Sequence, residues 1–157
     1  MIIRKVNPND LNRVFEIENM SFNQSYGLKM FQQLYEMGIG FLVAEHEGYV
    51  IGYVMFWIKY EFNGHIISIA VDEKYRRLGA GTKLLVKAIS ILSLLNLDTI
   101  YLEVNENNHG AIEFYKKFNF RTDRVVPNYY TDGDGAIIMY LPLRKCHVSG
   151  DQLLIVG

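Results

Sequence analysis

Apolar positions along this chain switch between a period near two and a period near 3.6, and the switches mark its elements. Ile2 to Val6 reads as a short strand. Asn7-Pro8-Asn9-Asp10 then offers a cap oxygen and a proline for a helix start. Leu11, Val14, Phe15 and Glu18 follow at helical spacing, so a helix is expected to about Met20. Ser21 to Gly27 is a loop, and Leu28 to Met37 a second helix that Gly38 stops. Phe41 to Ala44 is a strand, Glu47-Gly48 a tight turn, and Tyr49 to Tyr60 a long strand rich in Val, Ile and aromatics. Glu61 to Gly64 turns the chain. His65 to Val71 is nearly all apolar and is expected to be buried on both faces. Thr82 to Leu95 is a helix with Leu84, Leu85, Ala88, Leu92 and Leu95 on one side. Thr99 to Val104 is a strand, and Asn107 to Phe118 a short helix. Phe120 to Val126 and Ala136 to Leu141 are strands around the turn Asp132-Gly133-Asp134-Gly135. The order is β-α-α-β-β-β-α-β-α-β-β, without an internal repeat or linker.

Composition narrows this only a little. The 157 residues, half of them hydrophobic, suit one domain with a buried core, expected over 1–143. The tail, 144–157, carries the apolar run Leu153-Leu154-Ile155-Val156. Such a run must bury on its own domain or on a neighbouring subunit, and the sequence leaves both open, a homo-oligomer included. A formal charge of −1 gives no broad positive field, so no nucleic acid is expected as partner. One cysteine, Cys146, excludes an internal disulfide and a cysteine-based metal site. The amino terminus has no apolar signal core, and no apolar run reaches the length of a membrane span. A cytoplasmic protein, away from membranes, is the expectation.

The sharpest chemical signal is Arg76-Arg77-Leu78-Gly79-Ala80-Gly81, between an apolar strand and a helix. Amides at a helix start lack intrahelical partners and carry partial positive charge, and glycines let a phosphate approach the backbone. The dinucleotide fingerprint is excluded because position 84 is Leu, and the P-loop because the two glycines stand one residue apart. A turn that merely uses glycines to bend would explain the same residues.

With Val71 and Tyr75 before it, this segment resembles the acetyl-CoA signature Q/R-x-x-G-x-G/A of the GNAT superfamily. Leu102-Glu103-Val104, Asn108, Ala111-Ile112 and Phe114-Tyr115-Lys116-Lys117-Phe118-Asn119-Phe120 resemble its second signature. Asn119 replaces the usual glycine, and asparagine also tolerates the left-handed conformation. The resemblance covers essentially the whole chain. It implies an α/β (α+β) GNAT fold, a central mixed, mostly antiparallel sheet with helices on both faces. It implies acetyl-CoA as cofactor and coenzyme A as product. The loop amides from Leu78 through Gly79, Ala80 and Gly81 to Thr82 would hold the pyrophosphate, with Arg76 and Arg77 at the rim. Ile69, Ala70 and Val71 would pair with the pantetheine arm, near Asn108 and Tyr115. Gly64 to Val71 and Pro127 to Ala136 are similar to the N-terminal protein acetyltransferases of the RimI-like and NatA catalytic-subunit type. That narrower resemblance implies protein or peptide N-termini as substrate, gripped by Phe22, Tyr26, Tyr129 and Tyr130. Gln24 stands where the NatA-type subunit has a glutamate.

Acetylating an amine requires removal of a proton, because an α-amine with a pKa of about 8 is mostly charged at neutral pH. It also requires stabilisation of the departing thiolate. Glu103 is the first candidate base, a carboxylate in an otherwise apolar strand. His65, whose ordinary pKa suits a relay, is the second, and the residues do not choose between them. Tyr115 is the candidate acid, though a core tyrosine on an amphipathic helix would look the same. Asn108 could serve purely as a helix cap. No metal is expected, since His65 lacks a ligand-spaced partner. Direct attack by the amine is the expected mechanism. The alternatives are a small-molecule amine acetyltransferase, acting on a polyamine, an aminoglycoside or an amino acid, and a non-catalytic acyl-CoA-binding module.

Overall fold

The computed structural model describes residues 1–22, 27–60 and 62–143, together with the backbone of 147–149 and 152–154. The chain opens with β1 (Ile2–Lys5), a 3-10 turn at Pro8–Asp10, α1 (Leu11–Ser21) and α2 (Leu28–Glu36). It continues through β2 (Gly40–His46), β3 (Tyr49–Lys59) and β4 (Asn63–Val71), then a 3-10 turn at Glu73–Tyr75 and α3 (Ala80–Ser93). β5 (Thr99–Asn105), α4 (His109–Lys117), β6 (Arg121–Val126) and β7 (Ala136–Pro142) follow. These seven strands make one sheet in the order β1-β2-β3-β4-β5-β7-β6. β4 and β5 pair in parallel, while β1–β2, β2–β3, β5–β7 and β6–β7 are antiparallel. Two short strands in the tail, β8 (His147–Ser149) and β9 (Gln152–Leu154), form a separate antiparallel pair that the sequence did not suggest. The tail side chains lie outside the described residues, and with them the expected self-association through Leu153 to Val156.

The chain divides into two units, Met1–Trp57 with Ile66–Ile91, and Ile58–His65 with Leu92–Gly157. In the first, Val14 and Ile17 of α1 and Phe31 of α2 are fully buried together with Val43, Tyr53 and Met55. Phe31 meets the Tyr53 ring edge-on at 6.0 Å and the Phe41 ring at 6.4 Å. Such pairs add about 0.5–1.5 kcal/mol beyond their area, so this cluster fixes α2 as well as burying it. A carboxylate sits inside it. Glu18 is 1% exposed and accepts hydrogen bonds from Tyr53 Oη and, at 3.2 Å, from Ser68 Oγ. These bonds meet the rule that a buried carboxylate needs partners.

The helix start at Asn7–Asp10 has the expected cap oxygen and its proline in the first turn. The acceptor is Asp10, which takes the Asn7 amide at 2.7 Å and clamps Arg4 with both oxygens at 2.8 and 3.1 Å. β4 differs from the expectation, because Ile66, Ser68 and Ala70 are buried while Ile67, Ile69 and Val71 are only half-buried. Strand side chains alternate between faces, and here protein covers only one of them fully.

In the second unit β5 shows the same alternation. Ile100, Leu102 and Val104 are buried, and Tyr101, Glu103 and Asn105 share the half-buried face. α4 starts at Asn108, whose side chain caps the Ala111 amide at 3.1 Å. It ends at Asn119 with φ 70°, the left-handed stop expected of that residue. β6 begins one residue later than expected and lies at the sheet edge, almost wholly exposed.

Candidate active site

Two groups of residues carry the candidate chemistry, one in each unit. In the first, β4 ends at Val71 and the chain enters the glycine loop through Asp72. That carboxylate is buried. It accepts from Arg13 Nη2 at 2.5 Å and from the Lys74 amide at 2.9 Å, and its own amide donates to Ile51 O at 2.8 Å. Arg13 also donates to Val50 O at 3.0 Å, so α1 and β3 jointly hold the loop's entry. Burial pushes the Asp72 carboxyl up, and the bonds from Arg13 and Lys74 outweigh it, leaving the pKa below the usual carboxylate range.

The loop then makes two left-handed residues, Arg77 at φ 77° and Gly79 at φ 80°. Alternation of this kind points successive amides toward one concavity. The Lys83 amide bonds Gly79 O at 3.0 Å and closes the first turn of α3. The amides of Ala80, Gly81 and Thr82 therefore precede the first intrahelical bond and are the helix's donors to an anion. A Cβ added at Gly79 would meet nothing within 4 Å, so this side of the loop is open to a ligand. Arg76, Arg77 and Leu78 are exposed, and Arg76 Nε reaches Val71 O at 3.4 Å. These residues fit the diphosphate of acetyl-CoA, and Ile69, Ala70 and Val71 precede them on β4.

The second unit holds the titratable groups. His65 Nε2 donates to Glu103 Oε2 at 2.7 Å, so the two candidate bases form one hydrogen-bonded pair. β4–β5 pairing explains this: His65 faces Tyr101 in register, two residues before Glu103. Tyr129 stands near the same carboxylate. Burial first, and the Glu103 charge second, raise its phenol pKa. Tyr130 packs edge-on against Tyr129 with ring centroids 4.9 Å apart. Tyr115 is buried on α4, and its phenol is pushed well above the usual range by burial first and Tyr130 second. Glu103 thus bonds His65 and acts electrostatically on Tyr129, which packs on Tyr130, and Tyr130 acts in turn on Tyr115. Asn108 is accounted for as the α4 cap.

Phe22 caps the end of α1 in the first unit and is 37% exposed. Tyr26 and Gln24 lie outside the described residues. Among the described residues no group of three His, Cys, Asp or Glu side chains is placed to hold a metal ion. No helix is long and apolar enough to cross a membrane.

Sequence reasoning missed the supports of both groups. Arg13 is one basic residue on an amphipathic helix and gave no signal. Asn105 and Glu106 bind the loop after β6: Asn105 Nδ2 donates to Asp134 Oδ2 at 3.0 Å, and the Gly135 amide donates to Glu106 Oε1 at 2.9 Å. The polar run Asn105-Glu106-Asn107-Asn108 at a strand end was the available hint.

Comparison with known proteins identifies the family. Residues 11–120 match the acetyltransferase (GNAT) family. An N-alpha-acetyltransferase of Sulfolobus acidocaldarius is 38% identical over 154 residues, covering 90% of this chain and 92% of that protein. The crystal structure of Ard1 from Thermoplasma volcanium superposes with a TM-score of 0.87 at 30% identity, over 92% of this chain and 98% of that one. Chaetomium thermophilum Naa20, solved with a bisubstrate analogue, gives 0.82 at 29% identity, over 91% and 87%. With the glycine loop and the second signature both in place, this chain belongs to the GNAT family of acetyltransferases.

Proposed function

We propose that this protein transfers the acetyl group of acetyl-CoA to the α-amino group of protein N-termini, by direct attack of the amine. The observation that carries the reading is the His65–Glu103 pair with Tyr129 and Tyr130 beside it. The relatives support it, since the Sulfolobus protein is named an N-alpha-acetyltransferase.

The cofactor supplies an activated thioester when bound. Its diphosphate would rest on the amides of the Leu78–Thr82 loop, with Arg76 and Arg77 adding charge at the rim. The protein's own work is then proton handling and orientation. Glu103 and His65 act as one base: His65 donates through Nε2, so the negative charge stays on a carboxylate that is oriented and partly desolvated. The proton leaves the substrate ammonium for this pair, directly or through water. Tyr115 remains protonated at every relevant pH. A phenol above pKa 10 is a weaker acid than a thiol at about 8.5, so full proton transfer to the thiolate is uphill. Tyr115 therefore stabilises the leaving sulfur by a hydrogen bond. Tyr129 and Tyr130 each offer an apolar ring and a polar tip to a peptide backbone.

The small-molecule alternative needs acidic side chains to attract a polycation. Asp132 and Asp134 are the candidates, but Asp132 Oδ1 accepts the Asp134 amide at 2.9 Å, and Asp134 is held by Asn105. A non-catalytic module would have no use for a hydrogen-bonded base pair. The reading carries with it a cytoplasmic location, the compartment that a chain with a single cysteine suits.

Coenzyme A release with a substrate panel tests the proposal. Peptides with free N-termini are expected to turn over, and spermidine, kanamycin and free amino acids are not. Turnover of an amine from the second group with silence on every peptide would replace this reading with the small-molecule one.

A further inference from the structure

The loop from Pro127 to Gly135 carries both candidate substrate tyrosines, yet most of it is exposed, Tyr129 at 48%. With so much of it exposed, hydrogen bonds contribute to its position. Three such bonds run to Asn105 and Glu106 at the end of β5. Asn105 Nδ2 donates to Asp134 Oδ2 at 3.0 Å, the Glu106 amide donates to Gly135 O at 2.9 Å, and the Gly135 amide donates to Glu106 Oε1 at 2.9 Å. Gly135 permits this approach, because a Cβ there would stand 2.9 Å from Glu106 Oε2. Within the loop, Asp134 is the hub. Its carbonyl accepts the Tyr130 amide at 3.0 Å, its amide donates to Asp132 Oδ1 at 2.9 Å, and Tyr130 O accepts the Gly133 amide at 2.9 Å.

We infer that Asn105 is a positioning residue for the peptide-binding wall: through Asp134 it sets where Tyr130 and Tyr129 stand relative to Glu103. This rests on the proposed N-terminal acetyltransferase reading. Glu103 and Asn105 are two residues apart on one strand and so share a face. The base and the anchor of the tyrosines are thus built on the same few residues of backbone. The Asn105 amide cannot turn over without loss. Its Oδ1 accepts the Asn107 amide at 2.9 Å, which leaves Nδ2 for Asp134, and a flipped amide would set carbonyl against carboxylate. The bond to Asp134 has a charged acceptor, the stronger kind.

The chemistry suggests a three-variant test. Asn105→Asp keeps the acceptor for Asn107 but sets two carboxylates face to face. Asp134→Asn alone leaves an amide oxygen that Asn105 can still reach. The double variant reverses the bond, with the new amide at 134 donating to the new carboxylate at 105. For Asn105→Asp, the KM for a free-N-terminus peptide is expected to rise about tenfold, the worth of one charge-assisted hydrogen bond. The KM for acetyl-CoA should hold. Exchange of the Tyr130 and Gly133 amide hydrogens should quicken by about tenfold on the same grounds. Asp134→Asn, which keeps the bond but not its charge, should move both readouts by only about threefold, and the double variant should restore both toward wild type. A merely structural role would move both KM values together and would show no rescue on reversal. Wild-type peptide KM and wild-type exchange in Asn105→Asp would overturn the inference, as would a double variant no better than that single one. Exchange needs no substrate. If the protein acetylates no peptide, the functional reading falls, and exchange still decides whether Asn105 holds the loop.

Discussion

The two units use polar residues in opposite ways. In the first, Glu18 is enclosed with Tyr53 and Ser68, and Asp72 is bound by Arg13 at the mouth of the glycine loop. These groups shape backbone, and what the first unit presents to a ligand is mostly main-chain N–H. In the second, the polar groups are side chains that mostly keep some contact with solvent: half-buried Glu103 with buried His65, Asn105 with Asp134, exposed Tyr129 with Tyr130. They present functional atoms directly. A carrier such as acetyl-CoA is the same in every turnover and suits fixed amides, whereas proton removal needs a group that can change charge.

The contrast predicts unequal effects from small substitutions. The largest belongs to Glu103→Gln, which keeps a side chain able to bond His65 and removes the charge. kcat should fall by roughly 10²–10⁴-fold, the usual contribution of a positioned base, with KM for acetyl-CoA unchanged in steady-state assays. Stability should hardly move. An undiminished kcat would remove Glu103 from the chemistry.

Arg13→Ala is the counterpart in the first unit. It leaves the buried Asp72 without its cation and should cost about 2 kcal/mol, a Tm drop of roughly 4–8 °C for a chain of this size. Its pH dependence has a definite sign. The Asp72 pKa is held below its unfolded value of about 3.9, so the stabilisation is complete above that pH and is lost as pH falls through the folded value. The gap in Tm between wild type and variant should be constant near neutrality and close below about pH 4. A gap that persists at pH 2 would mean that Arg13 acts through packing alone.

Gly79→Ala should have the smallest effect. There is room for the methyl group, but φ of 80° is left-handed, which costs a residue with Cβ about 1–2 kcal/mol. The KM for acetyl-CoA should rise about tenfold while the peptide KM holds. An unchanged KM would mean that the loop binds the cofactor without this conformation.

What could be read from sequence follows the same division. The glycine loop and the helix stop at Asn119 were legible because their meaning is local: a few adjacent residues dictate the backbone. The element order followed from periodicity. The pairings were not legible. His65 and Glu103 are 38 residues apart, Arg13 and Asp72 are 59 apart, and Asn105 and Asp134 are 29 apart. Each depends on strand register or helix placement, which no periodicity reports. The resemblance offered His65 either as a rival base or as a partner to Glu103, and the parallel register of β4 and β5, with the 2.7 Å bond it permits, makes them partners. The open second face of β4 escaped notice for a related reason, since an apolar strand reads alike whether protein or ligand covers it.

The most direct measurement uses one peptide with a free N-terminus and an internal lysine, and the same peptide with its N-terminus blocked. Each is mixed with the purified protein and acetyl-CoA, and any product is fragmented in a mass spectrometer. The account predicts a gain of one acetyl group on the first peptide, located on the α-amine, and no gain on the second. Acetyl found on the lysine, or on both peptides alike, would contradict it.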